Sequence, residues 1–244
     1  MKISFKLLLA SALIISAGQL SAKPFTPPHT NQAQAPQTKQ LQAFTNINLA
    51  GPFNYFIAMG LNESLRIDAS KNVLPYIVSE VKNGTLNVYE KTNNGAAVIA
   101  KNEKVNIYIT VKEISGIQLS ALGNVVFKDG IISSTLHLAL VGPGTFTGKV
   151  NVNTLNCILN GTGNINLTGT TQSENVKVTG SGNYMGSDLK ALNTNVEVNG
   201  YGIAWIKASK SLNAKVTGSG SVHYSGNPKN VTKSKSDGGL IVKG

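Results

Sequence analysis

The chain has 244 residues, 41% of them apolar and 14% charged, and 22 Lys and Arg against 11 Asp and Glu give a formal net charge of +11. This composition excludes a coiled coil and a charge-driven disordered chain. A single Cys excludes a disulfide scaffold and any multi-cysteine zinc or iron–sulfur site, and with 3 His and 11 acids there is little material for catalysis.

Residues 1–22 read as a secretory signal peptide. Lys2 and Lys6 precede an apolar run from Leu7 to Ala17, and small residues follow to Leu20-Ser21-Ala22. The run is shorter than the ~20 apolar residues a membrane span needs. No later stretch is long and apolar enough, so no transmembrane segment is expected in the mature chain. That chain is expected to be exported: periplasmic, outer-membrane-associated or extracellular. Its net charge of about +9 comes almost entirely from scattered Lys, with Arg66 the one Arg. Nucleic-acid readers favour the planar fork of Arg, so no nucleic-acid partner is expected. The lysines read as a plain solvated surface or, as the sharper alternative, as a weak attraction for anionic envelope polymers or lipid headgroups.

Residues 23–42 carry Pro24, Pro27, Pro28 and Pro36 among glutamines and read as a Pro/Gln-rich linker. The folded domain is expected over 43–244, with a β-rich N-terminal portion at 43–115. Strands are expected at Phe44–Leu49, Phe53–Met59, Ser64–Ala69, Thr85–Tyr89 and Val105–Val111, with turns at Asn83-Gly84 and Asn94-Gly95. One short helix is expected over Asn72–Val81, capped by Asn72, with Pro75 in its first turn and Val73, Ile77 and Val81 on one face.

Residues 116–244 are a repeat. An apolar residue followed by x-Gly-x-Gly recurs as Leu140–Gly144, Leu159–Gly163, Val178–Gly182, Val198–Gly202 and Val216–Gly220, with degenerate copies at Leu119–Gly123 and Lys235–Gly239. The last glycines stand at 123, 144, 163, 182, 202, 220 and 239, so the steps are 21, 19, 19, 20, 18 and 19. Aligned on that glycine, the residues two after it are apolar, as are those four and six before it in the first six copies, and those between are mostly polar. Period-2 alternation inside a unit, with apolar columns between units, is what stacked strands require. A unit of this length is too short for a βαβ element. It fits one coil of a parallel β-helix or β-solenoid, which cannot bury its apolar row alone. Seven coils at about 4.8 Å make a rod of roughly 34 Å, and crossover chirality favours the right hand. Cys157 shares an apolar face with Leu155 and Leu159 and reads as core.

Three stretches together resemble a bacterial family: Phe44–Leu49, Gly84–Val88 and the repeats ending Val216–Pro228. The family is the auto-transporter adhesin head, GIN domain, formerly a domain of unknown function, and the resemblance spans Phe44 to Gly244. It implies an all-β, pectin-lyase-like β-helix without conserved catalytic residues, and a role in adhesion. The last copy departs from the pattern at Asp237, where the first glycine is missing. A self-exporting autotransporter is not expected, because no translocator barrel follows.

Chemistry is sparse. The acids of the repeat region, Asp129, Glu174, Asp188, Glu197 and Asp237, fall at different offsets from the corner glycine and form no carboxylate ladder. His29, His137 and His223 suit no triad, and neither a nucleophile elbow nor a phosphate loop is present. No enzyme activity, metal or cofactor is expected. One outward column attracts attention. Three residues after the corner glycine stand Val126, Thr147, Asn166, Met185, Trp205, His223 and Val242. Trp205, the one Trp, is expected to stack between Met185 and His223 with Tyr201 at the nearby corner, a patch suited to sugar or protein contact.

The expected function is therefore an exported, non-enzymatic β-solenoid with a rigid binding face for adhesion or envelope interaction, its partner a surface protein or glycan. A carbohydrate-binding or carbohydrate-active β-helix and a purely structural periplasmic module are the alternatives. The C-terminal solenoid end is expected to be blocked by charge through Lys233, Lys235 and Lys243, or to self-associate.

Overall fold

A computed structural model of the chain describes residues 37–94, 96–100, 103–236 and 238–244. The stretch read as a signal peptide and most of that read as a linker lie outside the described residues. Within the stretch read as linker, Gln37–Gln40 forms strand β1, so ordered structure begins before Phe44.

The N-terminal strands are β2 (Asn46–Ala50), β3 (Asn54–Met59), β4 (Ser64–Asp68), β5 (Ile77–Lys82) and β6 (Thr85–Glu90). The small hairpin β7 (Thr92–Asn93) and β8 (Ala96–Ala97) precedes β9 (Asn106–Val111). All five expected strands are present within two residues of their ends. The expected helix is not. Leu74–Tyr76 makes one 3-10 turn with no side-chain cap, and Ile77 already belongs to β5. Ile77 and Val78 are β-branched and favour strand. Asn83 and Gly84 follow at φ of 49° and 69°, the two left-handed residues that close a tight antiparallel hairpin. The turn folds β5 back on β6 with Lys82 opposite Thr85, and that pairing outcompetes the helical face.

The repeat region follows as β10 (Gly116–Leu119), β11 (Asn124–Phe127), β12 (Ile131–Val141), β13 (Thr145–Gly161), β14 (Asn164–Gly180), β15 (Asn183–Gly200), β16 (Ile203–Gly218), β17 (Ser221–Ser225), β18 (Asn230–Lys235) and β19 (Leu240–Lys243). Each of β13 to β16 is almost an entire coil, and each pairs in parallel with the next. Phe146 lies on Ile165 and Cys157 on Val176, one repeat apart. The architecture is a β-solenoid of about seven turns whose core is a set of inward columns.

Inward alternation slips phase at the corners. In β13 the buried positions are Phe146, Val150 and Val152, then Leu155, Cys157 and Leu159. Asn153 and Thr154 both turn away from the core, and Asn153 drops out of the ladder. The other corner is the Gly-x-Gly step. There Gly180 sits at φ 106°, and a Cβ on it would meet the Gly161 carbonyl oxygen at 2.7 Å. Hydrogen bonding continues round this corner, with Ser181 N–H donating to Gly161 O at 3.0 Å and Asn183 N–H to Gly163 O at 3.0 Å. Only glycine gives both the left-handed turn and the close coil-to-coil approach.

The N-terminal strands extend the solenoid, but out of chain order. β10 and β11 stack on β2 and β3, which stack in turn on β6 and β9. Antiparallel β5 covers β6, and β4 followed by β1 covers β9. The first coil of the chain is thus enclosed between two later ones, and the N-terminal end of the ladder is closed by reversed strands. At the other end, Lys233 and Lys235 of β18 stand over the inward residues Ala214 and Val216. Inward-pointing charge discourages further pairing on an open edge.

Candidate functional site

The outward column bearing Trp205 continues beyond the repeats. In spatial order it runs Arg66, Tyr108, Phe56, Val126, Thr147, Asn166, Met185, Trp205, His223 and Val242. Aromatic residues occupy both halves. In the N-terminal half Phe56 and Tyr108 stack at 5.0 Å, and their outer faces are covered by the chain's own cations, Lys128 Nζ 5.5 Å from the Phe56 ring and Arg66 Cζ 4.1 Å from Tyr108. Those faces are satisfied internally.

The C-terminal half is open. Trp205 and His223 stack with centroids 5.5 Å apart and planes at 17°. Ser221 Oγ and His223 Nε2 lie 3.1 Å apart, which orients the imidazole. On the other side of Trp205 is a hollow of about 340 Å³ lined by Asn166, Met185, Ser187, Asp188 and Trp205. Met185 is 37% exposed and is the register neighbour of Trp205. Tyr201 stands at the corner, 73% exposed, and does not line the hollow. The structure thus brings Met185, Trp205 and His223 together in the expected order and leaves Tyr201 apart.

The hollow has a cause in the repeat. β15 spans the 20-residue step, one residue longer than its predecessor. Between Asn166↔Met185 and Thr168↔Asp188 it uses three residues where β14 uses two. Between Met185↔Trp205 and Lys190↔Lys207 it uses five where β16 uses two. This bulge carries Ser187 and Asp188 outward beside Trp205. β-bulges commonly re-aim side chains in this way. Gly186 permits the bulge, because a Cβ there would meet the Tyr184 ring at 2.7 Å.

Beneath the bulge lies a polar cluster that pattern reading missed. Glu174 is fully buried. Its Oε1 accepts from the Tyr184 hydroxyl at 2.6 Å, and its Oε2 accepts from Thr194 Oγ1 at 2.9 Å. Burial pushes the carboxyl up to about 7, while these two hydrogen bonds pull the other way. Burial likewise raises the Tyr184 phenol, and the nearby Glu174 adds to it. Cys157 is buried and its thiol is raised by burial. A signal did exist: eight residues before the corner glycines of the five full copies stand Leu136, Leu155, Glu174, Thr194 and Leu212, an apolar column interrupted twice.

A second outward face carries an amide ladder. Asn195 Nδ2 donates to Asn175 Oδ1 at 3.0 Å, and Asn175 Nδ2 to Asn156 Oδ1 at 2.9 Å. Beside it Glu197 lies between Lys177 at 3.8 Å and Lys215 at 3.5 Å. A hydrogen bond from Asn199, with help from the two lysines, holds the Glu197 carboxyl below its ordinary range. Among the described residues, no group of three or more His, Cys, Asp or Glu side chains converges as a metal site would need. No helix among them is long and apolar enough to cross a membrane.

Residues 43–228 match the family described as "Putative auto-transporter adhesin, head GIN domain". Solved structures share the fold. One, named a "putative adhesin" from Bacteroides fragilis, is 24% identical with a TM-score of 0.72, over 86% of this chain and 96% of that one. Another of that name, from Parabacteroides merdae, is 20% identical with a TM-score of 0.70, over 88% and 97%. A third, named a "putative lipid binding protein" from Parabacteroides distasonis, is 22% identical with a TM-score of 0.69, over 86% and 96%. No curated protein matches the chain.

Proposed function

The chain belongs to the auto-transporter adhesin head GIN domain family, and from that premise we propose that it is an exported, non-enzymatic adhesion module binding through Met185, Trp205 and His223, with Tyr201 at the rim. The observation that carries this reading is the asymmetry of Trp205. One face is held by His223 and the other looks into an open hollow, on a sheet whose rungs are hydrogen-bonded to both neighbours. A rigid support lowers the entropic cost of contact, and an aromatic ring with a free face supplies a large apolar area with few rotors.

The test is adhesion of the full chain to bacterial and epithelial cell surfaces, compared with Trp205→Ala. The variant is expected to keep its melting temperature within about 2 °C and lose at least tenfold in binding. Unchanged adhesion by a folded Trp205→Ala protein removes this face from consideration. Protease shaving of whole cells tests export to the surface.

A further inference from the structure

Resting on the binding face just described, we infer that the hollow beside Trp205 seats an uncharged sugar ring, with Asp188 and Asn166 as its polar partners. The lining of the hollow offers one indole face, one thioether, one hydroxyl, one amide and one carboxylate, and no cation. Asp188 forms no ion pair among the described residues, and it is exposed on the outer turn of the bulge. A free carboxylate accepts from neighbouring hydroxyls, and such charge-assisted bonds are the stronger ones. The Asn166 amide both donates and accepts. A sugar ring matches this set, since its C–H face can lie on the indole while its hydroxyls meet the carboxylate and the amide. An anionic ligand is disfavoured by Asp188, because a like charge brought alongside costs energy.

The placement is built rather than incidental. The extra residue of β15 pushes Asp188 out, and the neighbouring register break leaves the Met185 side of Trp205 open. Gly186 allows that path over the Tyr184 ring, and Glu174, itself held by Thr194, anchors the Tyr184 hydroxyl from within. A regular 19-residue coil would put an ordinary outward side chain where the hollow lies.

Trp205 is the one Trp of the chain, so its emission reports on the hollow directly. The full chain is titrated with gluco-, manno- and galacto-configured neutral hexasaccharides and, separately, with choline chloride. At least one hexasaccharide is expected to change Trp205 emission saturably, and choline is not. Asp188→Asn should weaken that sugar at least tenfold, Asp188→Lys should abolish its binding, and Asp129→Asn should change nothing. Saturable choline binding lost in Asp188→Asn makes the hollow a cation site and overturns the inference. Silence towards every neutral sugar, with Trp205-dependent cell adhesion intact, also overturns it but leaves the adhesion face standing. Adhesion indifferent to Trp205→Ala removes both.

Discussion

The Tyr184 hydroxyl donates to Glu174 Oε1 at 2.6 Å inside the solenoid core, directly under the bulge that opens the surface beside Trp205. No Lys or Arg ion-pairs with this carboxylate among the described residues. A buried acid without a counter-ion is held more easily as the neutral form, and Thr194 can accept its proton as readily as it donates.

Stability should therefore depend on pH. Burial raises the Glu174 carboxyl from its ordinary 4.5 to about 7. Between those values the folded chain binds more protons than the unfolded chain, so this group lowers stability as pH rises through that window, and its effect is level above it. The loss is about 3 kcal/mol. Denaturant midpoints of the wild type should fall from pH 4.5 to pH 7.5 relative to Glu174→Gln. A wild-type curve parallel to that of the variant would contradict the assignment.

The corner glycines should differ in tolerance. Gly180→Ala sets a Cβ against Gly161 O at 2.7 Å in a left-handed backbone. Gly142, also left-handed, has nothing within 4 Å of its would-be Cβ. Gly142→Ala is expected to cost about 1 kcal/mol of backbone strain, and Gly180→Ala about 3 kcal/mol. Equal losses in chemical denaturation would show that coil-to-coil approach is not the constraint.

The amide ladder predicts a directional effect. Asn175 accepts from Asn195 and donates to Asn156. Asn175→Ala breaks both bonds and should cost about 1 kcal/mol. Asn175→Asp keeps the acceptor but sets a carboxylate against the Asn156 carbonyl oxygen, so it should destabilise more at pH 7 than at pH 3. Melting temperatures of the two variants at both pH values decide the matter.

At the C-terminal end, Lys233 Nζ lies 4.6 Å from the Tyr224 ring and Lys243 Nζ donates to Asn227 Oδ1 at 3.0 Å. Replacing the inward pair, Lys233→Val with Lys235→Val, extends the apolar columns to an open edge. Light scattering should then show concentration-dependent association well beyond that of the wild type. A double variant that matches the wild type at every concentration would assign the barrier to something other than these charges.

Much of the site was legible in the chain, and the glycine spacing is the reason. Met185, Trp205 and His223 fall in one column once the repeats are aligned, and they stack in that column in the structure. Glu174 was not legible as core, because a glutamate among polar outward residues looks like surface until its column is compared with Leu155 and Leu212. The Asn72–Val81 helix is absent because the four-residue spacing of Val73, Ile77 and Val81 says nothing of the strand waiting across the Asn83-Gly84 turn.

By itself the sequence determined the coil length, the inward columns and the corner positions. In a parallel in-register stack each residue meets its own equivalent, so a one-dimensional period already contains the contacts. Three things belonged to the tertiary structure alone. The first coil was enclosed between later ones, a polar triad was sealed into the core, and a single extra residue was placed at the bulge beside Trp205. A count of residues reveals that a coil is longer, but only packing against the coils on either side decides where the surplus goes.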